Sequence, residues 1–81
     1  MLYLIDRPLA DVGFRVAGED DDARIVLLQD GVLCDPPADV PAYAVRKDVE
    51  VRGADLPPGV EVITYNTLVD LLFDHEVKSF V

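Results

Sequence analysis

Three side chains that could act as a nucleophile or a base occur once each: Cys34, His75 and Ser79. Cys34 is the one whose surroundings suggest chemistry. It lies three residues past Gly31, in the turn-rich stretch after the apolar run Ile25 to Leu28. A thiol just beyond the carboxyl end of a central strand sits where open α/β sheets place their ligands. The chemistry open to it is that of a thiol nucleophile; the alternative is a buried, inert cysteine. Asp30 and Asp35 flank it, and nearby carboxylates raise a thiol pKa. A helix N-terminus or a basic side chain is needed to activate it. A single cysteine excludes an internal disulfide and a thiolate-rich metal site within one chain.

The remaining candidates are weaker. His75 falls at a predicted helix end, where it complements the helix dipole. Ser79 has no base beside it in the sequence. The run Glu19-Asp20-Asp21-Asp22 reads as a solvated connection, so no metal site is expected. No GxGxxG, phosphate-loop or HExxH pattern occurs, and no cofactor is implied.

The elements that must position Cys34 follow from hydrophobic patterning. Ile25 to Leu28 has no alternation, as in a strand buried on both faces of a parallel sheet. Gln29-Asp30-Gly31 ends it; Asp30 and Gly31 are the candidate binding turn, with Gly31 free to take φ > 0. Leu2 to Ile5 is a first strand. Pro8 opens a helix, with Leu9, Val12 and Val16 at helical spacing; Gly13 weakens it and Gly18 ends it. Three prolines among Pro36 to Pro41 exclude a regular helix there. Ala42 to Val45 is a third strand. Arg46 to Gly53 fits either a continuing alternating strand or a short helix ended by Gly53. Leu56-Pro57-Pro58-Gly59 is a turn, and Val60 to Thr64 a strand. Asn66 or Thr67 caps a helix reaching about His75, with Leu68, Val69, Leu71, Leu72 and Phe73 as its apolar positions. Val77 to Val81 closes the chain as a strand. This order predicts a single small three-layer α/β domain over residues 1–81, with a mainly parallel sheet of about five strands.

Charge bounds the partners. The chain carries 16 acidic and 7 basic residues, net −9, with twelve Asp and only two Lys. Such a surface argues against direct nucleic-acid binding and against an anionic membrane. It fits a cytoplasm of very high salt, as in a halophile, where screening makes dense charge tolerable. MLYLIDRP lacks a basic n-region and Asp6 interrupts its apolar run, so neither signal peptide nor membrane span is expected, and the expected compartment is cytoplasmic.

The same segments, in register, resemble the DsrH/TusB family of sulfur-relay proteins. The likeness lies in MLYLIDRP, in LLQDGV (Leu27 to Val32), in AYAVRKDVEVRG (Ala42 to Gly53) and in VEVITYNTLVDLLFDHEVKSFV, nearly the whole length. It implies a cytoplasmic subunit of a hetero-oligomer with DsrE-like and DsrF-like (TusD/TusC-like) partners. Such complexes pass persulfide sulfur toward 2-thiolation of the tRNA wobble uridine, or serve sulfur oxidation. It also implies a short helix over Lys47 to Arg52. Two departures stand out. The proline segment replaces the helix that the family has after the DGV turn, and Leu9 to Gly18 lacks the cysteine that some members carry. A persulfide on Cys34 is therefore an inference from position alone. The expected role is structural, with a sulfur carrier or a stand-alone homodimeric module as alternatives. The missing helix predicts an interface near Val32, Leu33, Val40 and Tyr43.

Overall fold

The computed structural model describes all of residues 1–81. Five strands form one sheet: β1 (Leu2–Ile5), β2 (Arg24–Leu27), β3 (Ala42–Val45), β4 (Val60–Ile63) and β5 (Val77–Phe80), in the order β4-β3-β2-β1-β5. Every pairing is parallel, with Leu2 beside both Arg24 and Val77 and with Ala42 beside Val60. Three helices connect them: α1 (Ala10–Gly18), α2 (Arg46–Arg52) and α3 (Tyr65–Asp74). The expected class, a small α/β domain with a parallel sheet of five strands, is the class observed.

The order fixes the faces. β1 to β4 advance in one direction, so right-handed crossovers keep α1 and α2 on the same face. The step from β4 to β5 jumps back past β1, and the same hand sends α3 across the opposite face. The core divides accordingly. Tyr3, Ile5, Ile25, Leu27 and Ala44 pack toward α1 and α2, with Ala10, Ala17 and Val32. Leu2, Val26, Val45 and Ile63 pack toward α3 through Leu68. Alternate residues of one strand thus enter different clusters, the period-2 geometry of a sheet buried on both sides.

Several local expectations are corrected. A 3-10 turn, Arg7–Leu9, precedes α1, and the buried face of α1 is Ala10, Gly13 and Ala17; Leu9 and Val12 face solvent. Small residues let the helix lie close: a Cβ on Gly13 would stand 2.9 Å from Ile5 Cδ1 and 3.2 Å from Phe80 Cβ. Gly13 therefore costs helix propensity and returns proximity. Arg46–Arg52 is a helix, ended by Gly53 at φ 57°; the strand alternative is excluded. α3 starts two residues earlier than expected, capped by Thr64, whose hydroxyl accepts from Thr67 N at 3.3 Å. Residues 35–41 contain no helix, as their prolines require.

One polar contact ties the sheet to the acidic connection. Tyr3 is buried, and its hydroxyl donates to Asp20 Oδ2 at 2.9 Å. Burial, then the bond to Asp20, holds the Tyr3 phenol above its ordinary 10.0. Bonds from Asp22 N and from Tyr3 hold the Asp20 carboxyl below its ordinary 3.8. A depressed carboxylate stabilises the fold above its unfolded pKa and loses that contribution as pH falls through the folded value; a raised phenol loses its contribution as pH rises through its own. The contact is therefore intact between about pH 5 and pH 9. Tyr3→Phe is expected to lower the thermal midpoint at neutral pH and to converge with wild type in strong acid. An equal deficit at every pH would assign the loss to packing instead.

Candidate functional site

The carboxyl edge of the sheet gathers the residues singled out for chemistry. β2 leads into a 3-10 turn, Gln29–Leu33, rather than an open loop. Gln29, not Gly31, takes the left-handed conformation, at φ 50°. Gly31 has a different duty. A Cβ there would stand 2.2 Å from the backbone oxygen of Ile5, so the turn is pressed against the end of β1. That oxygen also accepts from Leu28 N at 3.1 Å. Gly31 is buried spacing, and it offers no surface to a ligand.

Asp30 is taken up by the fold. Arg52 Nε lies 2.7 Å from Asp30 Oδ1, and Arg52 Nη1 lies 3.4 Å from Asp48 Oδ1. The guanidinium thereby joins the 3-10 turn to α2, and Asp30 stands first among the causes that raise the Arg52 pKa above its ordinary range. Nothing in the sequence spacing marked Arg52 as Asp30's partner, because the two are 22 residues apart.

Cys34 ends this turn and is half-buried. Its thiol lies 4.0 Å from the Asp30 carbonyl, the geometry of a weak S–H donor. Burial pushes its pKa up. Arg7 pulls it down, and Asp11, Asp35 and Asp6 push it up again. The cation that the sequence appeared to withhold is therefore present, supplied by the turn after β1, but burial and three carboxylates outweigh it. Such a thiol stays protonated at neutral pH and is a slow nucleophile. Alkylation by iodoacetamide at pH 8 is expected to run slower than for a free cysteine. Arg7→Ala should slow it further and Asp11→Asn should speed it; a rate at or above that of a free thiol would contradict this electrostatic picture.

The four residues expected at an interface do not share one surface. Val32 is 1% exposed, inside the core. Val40 packs toward the α1 and α2 face and Tyr43 toward the α3 face, both half-buried. Leu33 alone is well exposed. Tyr43 also accepts from Arg24 Nη1 at 2.9 Å. The two surface recesses lie at the amino edge. One, of about 70 Å³, is lined by Pro36, Pro37, Val40, Pro57, Pro58 and Val60; at that size it admits a few waters and no metabolite. The other is an open hollow beside Met1, Asp22, Arg24 and His75. Ser79 lies on β5 at the sheet margin, and no hydrogen bond joins it to His75.

These features define a small parallel α/β domain whose carboxyl edge is closed by a glycine-tight turn and an Asp30–Arg52 clasp. The solution NMR structure of protein Tm0979 from Thermotoga maritima is similar: 27% identity over 94% of this chain and 95% of that one, with a TM-score of 0.63. No protein-family model matches the chain, and neither does any curated protein. No helix is long and apolar enough to cross a membrane.

Proposed function

We propose that this chain is a non-catalytic subunit of a cytoplasmic sulfur-relay complex of the DsrH/TusB kind, serving 2-thiolation of the tRNA wobble uridine. The observation that carries the reading is the Asp30–Arg52 clasp at 2.7 Å. It joins the stretch on which the family resemblance is strongest, the Gln-Asp-Gly-Val turn, to the Arg-Gly end of α2 in the resembling segment Ala42 to Gly53. Two of the four resembling segments are thus held together at the carboxyl edge.

The state of Cys34 supports the non-catalytic role. A persulfide acceptor works as a thiolate, and here burial and the carboxylates of Asp11, Asp35 and Asp6 favour the thiol. Arg7 is the one neighbour that favours the carrier reading. The chain's contribution is then to complete an assembly whose DsrE-like and DsrF-like members handle the sulfur.

The test is sulfur loading of the assembled complex. The chain is mixed with DsrE-like and DsrF-like subunits, a cysteine desulfurase and cysteine, and each subunit is weighed by mass spectrometry. The expected result is a stable complex in which a partner gains one sulfur atom and Cys34 does not. A gain of sulfur on Cys34 would establish the carrier role in its place. Failure to bind either subunit would remove the relay reading and leave a stand-alone module.

A further inference from the structure

β5 is an edge strand, paired with β1 on one side only. The ladder shows which of its backbone groups are used. Leu2 N donates to Glu76 O at 2.7 Å and Asp6 N to Phe80 O at 2.9 Å, with Leu2 beside Val77. In a parallel ladder the two sides alternate. Glu76, Lys78 and Phe80 therefore turn their backbone groups toward β1, and Val77 and Ser79 turn theirs outward. The side chains alternate as well. Lys78 and Phe80 share a face with Tyr3 and Ile5, whereas Val77 and Ser79 share the opposite face with Leu2 and Leu4. Val77 and the following Val81 are 39% and 61% exposed.

A second copy can complete this edge by antiparallel pairing about a two-fold axis, and hydrogen-bonded pairs must join outward-facing residues. The axis can then fall at Val77, Lys78 or Ser79. At Val77 the overlap ends within two residues, because α3 occupies the chain up to Asp74. At Lys78 it sets two like charges directly opposite each other. At Ser79 the segment Val77-Lys78-Ser79-Phe80-Val81 is chemically palindromic. Ser79 meets Ser79, Val77 meets Val81 of the second copy, and Lys78 meets its Phe80. The Lys78 stem can lie over that ring, already stacked on Tyr3 in its own chain, while the ammonium reaches water. β4, the other edge, has Glu61 in its middle, and a paired strand there would desolvate a carboxylate.

We propose that β5 is a self-pairing edge: two copies join antiparallel about Ser79, merging their five-stranded sheets into one. The inference goes beyond the sulfur-relay reading and does not depend on it.

The test uses the full chain at millimolar concentration in about 1 M KCl, where the repulsion between two chains of net −9 is screened. Sedimentation is expected to show a dimer, and the Ser79 amide to gain protection from hydrogen exchange as concentration rises. Ser79→Pro removes an outward N–H and leaves the β1 ladder intact, so it should weaken the dimer at least about tenfold. Single cysteines, Val77→Cys, Lys78→Cys and Ser79→Cys, are then compared in a Cys34→Ser background under a glutathione redox buffer. A hydrogen-bonded antiparallel pair holds its Cα atoms about 5.5 Å apart, within disulfide reach. Ser79→Cys should therefore cross-link fastest, and this holds the test even if Ser79→Pro does not fold. A wild-type monomer, a dimer that folded Ser79→Pro leaves intact, or faster cross-linking at position 77 or 78 would each overturn the proposal.

Discussion

Gly31→Ala is expected to cost about 3 kcal/mol or more, among the largest losses a single methyl group can cause. The reason is local and steric. The added Cβ would meet the Ile5 backbone oxygen at 2.2 Å, the Ile5 carbonyl carbon at 3.1 Å and Asp6 Cα at 3.2 Å. All three are backbone atoms at the end of a central strand, so no side chain can swing aside. The Ile5 oxygen is further fixed by its bond from Leu28 N. Relief requires either the 3-10 turn or the end of β1 to move, and the turn is held by Arg52 through Asp30. A domain of this size holds only about 4–12 kcal/mol in total. At roughly 4–8 °C per kcal/mol, the midpoint should fall by at least ~12 °C. Gly18→Ala is the matched control. That glycine is helical with nothing within 4 Å of a built Cβ, and its φ is not left-handed. There the substitution should stabilise by up to ~1 kcal/mol. A Gly31→Ala midpoint within the range of the Gly18→Ala variant would show that the turn is not pressed against β1.

The second large effect is expected from salt. The chain carries net −9 and measures 30 × 25 × 22 Å. At 0.01 M salt the screening length is about 30 Å, so each carboxylate feels every other across the whole molecule. At 1 M it is about 3 Å, and only touching charges interact. Little inside the fold offsets the excess. Among the Lys and Arg side chains, Arg52 alone forms ion pairs; the N-terminal amine adds one more, 3.8 Å from Asp20. The thermal midpoint should therefore climb by more than ~10 °C between 0.01 M and molar KCl, with partial unfolding at the dilute end. Equal midpoints at both salt concentrations would contradict the claim that self-repulsion is a dominant destabilising term.

The first three strands were legible because they are built on short apolar runs, too short for helices, set apart by prolines and glycines. Ile25, Val26 and Leu27 read as buried on both faces, and they are buried on both faces. Helix faces were less legible, for two opposite reasons. In α1 the buried side is made of Ala10, Gly13 and Ala17, because close approach to the sheet selects small residues over large ones. In α3 the large residues Val69, Leu72 and Phe73 imitate a core face and are left outside it. Apolar periodicity reports what a helix wants covered, and not which neighbour covers it.

At the candidate site, Cys34, Asp30 and Gly31 fall in the turn where they were expected. Their partners were out of reach, since Arg7, Asp11 and Arg52 arrive from other elements of the fold. Gly31 was marked for the wrong property. Its residue type signalled conformational freedom, but space is what the turn uses, and Gln29 takes the left-handed φ instead. That distinction depends on where β1 ends, which no window around Gly31 contains.

The role proposed for this chain is that of a structural subunit in sulfur relay. It is tested most directly by the 2-thiouridine content of tRNA in cells that lack the gene. Deletion is expected to abolish wobble-uridine thiolation, and a copy encoding Cys34→Ser is expected to restore it as fully as the wild-type gene. Unchanged thiolation after deletion would contradict the relay role, and thiolation restored only by the cysteine-bearing copy would contradict the structural one.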